Sequence, residues 1–329
     1  MSVKVGFIGM GGIAKAHLSV LSKIPDVEIA SVYDVDTAKA EAAAGPLSAR
    51  VFDSTAELIQ SGGIDVLFIC SPQFARDDAE VEAAQRGIHL FVEKPLGLHL
   101  DPVIRKEKLV RESGVIHSSG YCLRYLDTVQ KARQYLQDKT TDMVLAYRFG
   151  GQHAPSWWRR LELSGGQLVD QTTHQIDLIR YMAGEIDEVY AQFESRAIRE
   201  DDPDATIYDI GTLALRLENG AVGSVSNTCT LPHLGRSEVE IMGRNFYVQI
   251  HGSSLRIVDN ERDVTEISRQ NYYEEQDRRF IEAVKSRSQQ LVLGSYTDAL
   301  QTLAVTLAAN ESAAKGKPLK RIPGTYRFD

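Results

Sequence analysis

The chain has 329 residues, enough for about two domains of ordinary size and for two cores built without disulfide or metal staples. Apolar residues make up 43%, charged residues 25% and aromatic residues 8%, which excludes a disordered or fibrous chain. With 37 Lys and Arg against 45 Asp and Glu the net charge is −8 and no basic block occurs, so neither a nucleic-acid partner nor a membrane partner is expected.

The first 120 residues alternate short apolar runs with helical stretches. Residues 3–8 read as a strand, 13–22 as a helix, 27–33 as a second strand and 37–44 as an Ala- and charge-rich helix. Strands at 65–70 and 88–92 flank a helix at 77–86. A helix at 101–113, with Pro102 in its first turn, and a strand at 115–118 complete the run. This alternation predicts an α/β domain, a doubly wound parallel sheet with helices on both faces.

After Gly120 the texture changes. Residues 126–137 read as a helix, and 165–183 as a helical region entered through glycines. Strand-like runs at 188–195, 206–217, 221–230, 237–242, 246–250 and 254–258 follow with little helix between them, and Asn219-Gly220 is a hairpin signal. Helices at 274–285 and 296–314 close the chain. The pattern predicts an α+β domain with a large, mostly antiparallel open sheet and one or two covering helices. The division expected is 1–120 and 121–329, with the closing helices able to pack back on the first domain. No low-complexity linker separates the two.

The first strand runs into Gly9-Met10-Gly11-Gly12-Ile13-Ala14, a Gly-x-Gly-x-x-Ala turn that opens the first helix. Gly9 suits the tight turn, Gly11 the close approach of a pyrophosphate to the helix N-terminus, and Ala14 close helix–strand packing. Asp34 ends the second strand, 23 residues beyond Gly11, where a carboxylate accepts from ribose hydroxyls. A carboxylate there repels a 2′-phosphate, so NAD is expected over NADP, with Lys39 the nearest opposing cation. Gly9, Gly11, Gly12, Ile13 and Asp34 are thus expected cofactor contacts.

Two further segments fall at strand ends, where such sheets bind ligands: Ser71-Pro72-Gln73 and Glu93-Lys94-Pro95. Lys94 is a cation on a restricted backbone beside the expected nicotinamide, or else a solvated surface lysine. In the second domain Asp170, His174 and Asp177 are spaced i, i+4, i+7, which predicts one helix face, with Ile176, Ile179 and Met182 on another. The pair Asp170 and His174 suits acid–base work on a hydroxyl; a helix-end acid and a capped histidine is the bland alternative. Trp158 and Arg159 suit a sugar face and its hydroxyls, though a Trp pair is more often core. Tyr121 and Arg124, past the domain junction, are expected near the cleft. His17 is assigned no chemistry.

Cys70, Cys122 and Cys229 are far apart and odd in number, which supports neither a disulfide framework nor a cysteine zinc site, and a single helix histidine supports no metal. The N-terminus lacks a signal-peptide layout and no long apolar run occurs, so a cytoplasmic protein is expected.

In combination these features resemble the glucose–fructose oxidoreductase / inositol dehydrogenase (Gfo/Idh/MocA) family. The resemblance runs over nearly the whole chain: GMGGIAKAH at 9–17, CSPQ at 70–73, Glu93-Lys94-Pro95, YCLRY at 121–125, the Asp170/His174/Asp177 helix and Ser312-Ala313. It implies a Rossmann domain plus an α/β domain whose open sheet forms oligomer contacts, here a homodimer or homotetramer. It maps the active site onto Lys94, Asp170 and His174, and implies sugar, cyclitol or related polyol substrates. Where many members carry Asn and then His after Ser/Thr-Pro, this chain has Gln73 and then Phe74-Ala75-Arg76.

The expected reaction is hydride transfer between nicotinamide and a carbinol carbon. His174 is the natural base by its near-neutral pKa, with Asp170 orienting it or binding a neighbouring hydroxyl. Lys94 stabilises the developing alkoxide, or itself serves as base. Two alternatives share these parts: an NAD-dependent redox-neutral glycosidase, and a non-catalytic sugar or dinucleotide sensor.

Overall fold

The structure is a computed structural model that describes residues 2–329. In chain order it opens with β1 (Val3–Ile8), α1 (Gly12–Leu21), β2 (Val27–Tyr33), α2 (Thr37–Ala44), β3 (Arg50–Val51) and α3 (Thr55–Gln60). There follow β4 (Val66–Ile69), α4 (Ala79–Gln85), β5 (His89–Val92), α5 (Leu100–Ser113), β6 (His117–Ser119) and α6 (Asp127–Leu136). Next come β7 (Met143–Phe149), α7 (Leu161–Ser164), α8 (Thr173–Ala183), β8 (Ile186–Glu194), α9 (Ile198–Asp201), β9 (Ile210–Leu217) and β10 (Val222–Thr228). The chain ends with β11 (Arg236–Gly243), β12 (Phe246–His251), β13 (Ser254–Asp259), β14 (Asp263–Ile267), α10 (Tyr272–Ser286), α11 (Tyr296–Lys315) and β15 (Leu319–Lys320).

The chain forms two compact units. One comprises the residues up to Gly97, Asp101–Tyr125 and Gln270–Leu300; the other comprises Leu98–Leu100, Leu126–Arg269 and Gln301–Asp329. Neither is one uninterrupted block of chain: the first takes in Tyr121–Tyr125 and, from far downstream, α10.

The first unit holds a six-stranded parallel sheet in the order β3-β2-β1-β4-β5-β6. The order reverses between β1 and β4, the switch point of a doubly wound sheet. Register puts Phe7, Phe68 and Phe91 side by side on one face. Their rings stack at 5.0 and 4.6 Å, and Phe280 of α10 meets Phe68 and Phe91 edge-on at 5.7 and 5.5 Å. All four are fully buried, and each such ring contributes on the order of 2–3 kcal/mol of apolar burial. The same packing keeps α10 in this unit.

The second unit holds a nine-stranded sheet, β14-β13-β12-β11-β7-β10-β9-β8-β15. It is antiparallel except where β7 runs parallel to β10. The sequence reading missed β7, which is the central strand; Val144 and Ala146 alternate inward while Met143 points out. It also missed β3, α3 and the edge strands β14 and β15. Alternation leaves one sheet face buried and the other carrying Met143, Tyr190, Ile210 and Val222, each about 36–42% exposed.

The region 165–183 is not one regular helix. Gly165 and Gly166 enter it with φ of +74° and +81°, a left-handed conformation suited to glycine. A π turn spans Leu168–Thr172 before α8 begins at Thr173. Among the described residues no helix is long and apolar enough to cross a membrane, and no group of side chains is placed to hold a metal ion.

Candidate active site

In the first unit the ends of β1, β4 and β5 carry the candidate residues, and these strands are hydrogen-bonded neighbours. Parallel neighbours lie about 4.8 Å apart, so their carboxyl ends form one rim. Gly9 takes φ +87°, and a Cβ on it would stand 2.6 Å from the Ser71 amide nitrogen, so only glycine lets the turn pack against the β4 end. Gly11 and Gly12 are different: no atom lies within 4 Å of where their Cβ would be. They open α1, whose N-terminus has no side-chain cap and no acid in its first turn. Unsatisfied N–H groups facing open space favour an anion. Ile13 follows in the first turn, half-buried.

Asp34 is tied to this turn. Its Oδ2 accepts from the Met10 amide at 2.6 Å and its Oδ1 from the Asp36 amide at 2.9 Å. A carboxylate oxygen has a further lone pair, so acceptor capacity remains for ribose hydroxyls. Asp36 caps α2 through the Lys39 amide and pairs with the exposed Lys39 ammonium at 3.1 Å. Lys39 is thereby engaged with Asp36, with Asp34 also within electrostatic reach. At the β4 end the Ser71 hydroxyl is buried with no protein partner, and Pro72 leads into a short turn at Gln73–Ala75. The glycine turn, the open helix N-terminus and the acid at the β2 end fit a dinucleotide.

At the β5 end Lys94 is half-buried, and its backbone is held from both sides. One nitrogen of the buried Arg76 guanidinium donates to the carbonyls of Glu93 at 2.6 Å and Pro95 at 2.8 Å, while Nε donates to the Ser71 carbonyl at 2.9 Å. Glu93 turns inward: its Oε2 accepts from the Lys94 amide at 3.1 Å and its Oε1 faces His17 Nε2 at 3.1 Å. The expected cofactor contact of the Glu93 side chain gives way to an internal one. Burial alone would lower the His17 pKa, yet Asp277 and Glu93 raise it to about 10.

Tyr121 and Arg124 are also internal. Tyr121 is 1% exposed; Arg124 is ion-paired with Asp298 and donates to the Leu293 carbonyl at 2.7 Å. Segments near 293–298 cover them, so they present no substrate surface. Nothing local in the sequence announces a partner more than 160 residues away.

In the second unit Trp158 has no exposed surface and packs with Ile198, Ala205, Ile207 and Cys229. Its indole Nε1 donates to Asp170 Oδ2 at 3.0 Å. The ring offers no face for a sugar; its link to the candidate site is through Asp170. Arg159 is half-buried, donating to Gln152 Oε1 at 3.0 Å and lying 3.6 Å from Asp202. Asp170, Trp158's acceptor, is 8% exposed, and His174 is half-buried one turn further on. Asp177 does not share their environment: it is 1% exposed and accepts from the Thr302 hydroxyl at 3.0 Å. The π turn takes Asp170 out of the regular phase of α8, so the i, i+4, i+7 count does not carry over to it, whereas His174 and Asp177 both lie within the regular helix. Ile176, Ile179 and Met182 are core as expected.

Arg148, on β7, escaped the sequence reading with its strand. Burial draws its guanidinium below the usual range and the nearby Asp170 opposes this. Gln167 and Asn227, bonded at 2.7 Å, are further buried polar side chains near this helix entry.

The profile described as an oxidoreductase family with an NAD-binding Rossmann fold matches residues 3–121, and that of the GFO/IDH/MocA C-terminal domain matches 129–249. The chain belongs to the GFO/IDH/MocA family. This oxidoreductase is 26% identical to the myo-inositol 2-dehydrogenase of Thermotoga maritima over 332 residues, 97% of this chain and 98% of the relative. It is 27% identical to the levoglucosan dehydrogenase of Pseudarthrobacter phenanthrenivorans over 300 residues, covering 79% and 74%. In fold it is similar to the WlbA dehydrogenase of Bordetella pertussis, solved with NADH and UDP-GlcNAcA. That match has a TM-score of 0.85 at 24% identity over 98% and 99% of the two chains.

Proposed function

We propose that this protein is an NAD-dependent dehydrogenase acting on a carbinol carbon of a sugar, cyclitol or related polyol. The observation that carries the reading is the rim of the six-stranded sheet. Adjacent strands β1, β4 and β5 end in a glycine turn with open space over a helix N-terminus, in Ser71, and in Lys94 on a braced backbone. When bound, NAD⁺ supplies the hydride acceptor at such a rim; residues 9–13, Asp34 and Ser71-Pro72-Gln73 would hold it. The family relatives named as polyol and sugar dehydrogenases support the substrate class.

The chain's own part is proton and oxygen chemistry. His174 takes the hydroxyl proton of the substrate, since neutral imidazole accepts a proton near neutral pH. Asp170, fixed by the Trp158 indole, orients the imidazole or holds an adjacent hydroxyl. Lys94 donates to the oxygen that loses the proton and stabilises its developing negative charge. The reading includes a cytoplasmic homo-oligomer; the uncovered sheet face with Met143, Tyr190, Ile210 and Val222 supports such assembly.

Purified protein titrated with NAD⁺ and NADP⁺ and offered inositols, aldoses and glycosides tests this directly. NADH accumulating with a polyol supports a dehydrogenase. Glycoside cleavage without net NADH overturns it in favour of redox-neutral chemistry, and absence of NAD binding defeats the reading at the glycine turn.

A further inference from the structure

Behind Lys94 lies a charged cluster that the reaction scheme leaves unused. His17, on α1, is completely buried. Its Nδ1 lies 2.8 and 2.9 Å from the two carboxylate oxygens of Asp277, on α10, and its Nε2 lies 3.1 Å from Glu93 Oε1. With both carboxylates ionised, which makes them acceptors only, both ring nitrogens donate and His17 is an imidazolium; burial pushes the Asp277 carboxyl upward and the imidazolium opposes this. Phe68, Phe91 and Tyr273 wall the ring, with centroids 5.3, 4.9 and 5.6 Å away. The other Glu93 oxygen accepts the Lys94 amide. Any side chain at residue 120 would collide with the Glu93 carboxylate, so Gly120 makes room for it. Tyr273, Cys70 and Cys122 also face the cluster; burial pushes all three upward, which keeps them neutral. Arg76, on the Glu93 carbonyl, and Lys94 are the other cations. Buried charge of this kind is costly and is weak evidence for stability, which favours a specific use.

We propose that His17 and Asp277 are positioning residues for Lys94, acting through the Glu93 carboxylate. The imidazolium fixes Glu93, and Glu93 fixes the backbone at which the lysine leaves the β5 end. Because His17 and the open N-terminus with Gly11 and Gly12 belong to one helix, the dinucleotide-binding element and the lysine loop are joined by a side-chain bridge in addition to the sheet ladder. The inference rests on Lys94 having the role proposed above, but its test does not require turnover.

Trace acetylation of the full-length protein with acetic anhydride, read lysine by lysine by peptide mass spectrometry, reports the environment of Lys94 directly. Wild type, His17→Gln, Glu93→Gln and the double variant are compared without nucleotide. His17→Gln should change Lys94 labelling about threefold or more while other lysines keep theirs, and should add nothing in the Glu93→Gln background. Unchanged Lys94 labelling in a folded His17→Gln protein, or effects that multiply, overturns the proposal. Should His17→Gln fail to fold, ¹⁵N-histidine NMR of wild type decides. Both His17 nitrogens should remain protonated well above pH 6.5, and a neutral ring there overturns it. In turnover, His17→Gln should lower kcat about tenfold or more and leave KM for NAD⁺ nearly unchanged. Wild type that makes no NADH yet shows the labelling coupling defeats the dehydrogenase reading alone. NADH production with Lys94 indifferent to His17 defeats the positioning role alone.

Discussion

Trp158 donates its indole N–H to Asp170 at 3.0 Å from a ring that is wholly buried. The bond joins an apolar cluster to a nearly buried carboxylate, so the core and the candidate site share one side chain. Trp158→Phe keeps an aromatic ring but removes the donor. It should cost about 1–3 kcal/mol in urea unfolding. It should also lower kcat/KM for the substrate of the proposed reaction by about tenfold or more with NAD affinity unaltered. Equal kcat/KM despite a stability loss would make Trp158 a core residue only.

The two kinds of glycine in the first turn should separate folding from binding. Gly11→Ala meets nothing within 4 Å in a helix N-cap position with φ −73°, so the melting temperature should hold while NAD affinity falls about tenfold or more. Gly9→Ala faces a left-handed φ of +87° and the Ser71 backbone. It should destabilise by about 2 kcal/mol or more before any nucleotide is added. Calorimetry on both variants, with and without NAD⁺, checks the pair.

Lys94→Met removes the ammonium but leaves the Arg76 and Glu93 contacts to the backbone in place. Turnover should fall by about two orders of magnitude or more, with NAD⁺ binding within about threefold of wild type. Preserved turnover would remove Lys94 from the reaction.

His17 gives stability a defined pH dependence. Its folded pKa of about 10 lies above the ordinary value of 6.5, so folding favours the protonated ring. That contribution is complete below pH 6.5 and is lost as pH rises through about 10. Urea midpoints should therefore decline across this window more steeply in wild type than in His17→Gln. Parallel declines would show that His17 is neutral throughout.

The first unit was legible because its signals are local. The β1 strand, the glycine turn and Asp34 sit within one strand–helix–strand passage, and Lys94 follows a short apolar strand. What was not legible depends on distant chain. Asp277 is 260 residues from His17, and nothing near His17 distinguishes an imidazolium from a packed neutral ring. Glu93 was read as facing the cofactor because its strand-end position says nothing about which way the carboxylate turns. Arg124 is expected near the cleft from its place in the sequence, but its partners, Asp298 and the Leu293 carbonyl, arrive from a later segment. In the second unit Trp158 followed the more common fate of a tryptophan, while β7 had a readable apolar run that went unread. The π turn is different in kind: counting at 3.6 residues per turn presupposes the regularity that Leu168–Thr172 lacks.

That turn acts as a spacer in angle. A helix advances about 100° per residue, so one residue more or fewer re-aims everything on one side of it relative to the other. Deleting Gln171 would close the π turn into ordinary helix, yet would swing Asp170 away from its present bearing relative to His174 or pull it off the Trp158 indole. The irregular turn thus sets the angle between Asp170 and His174, and a tidier helix would present the pair differently.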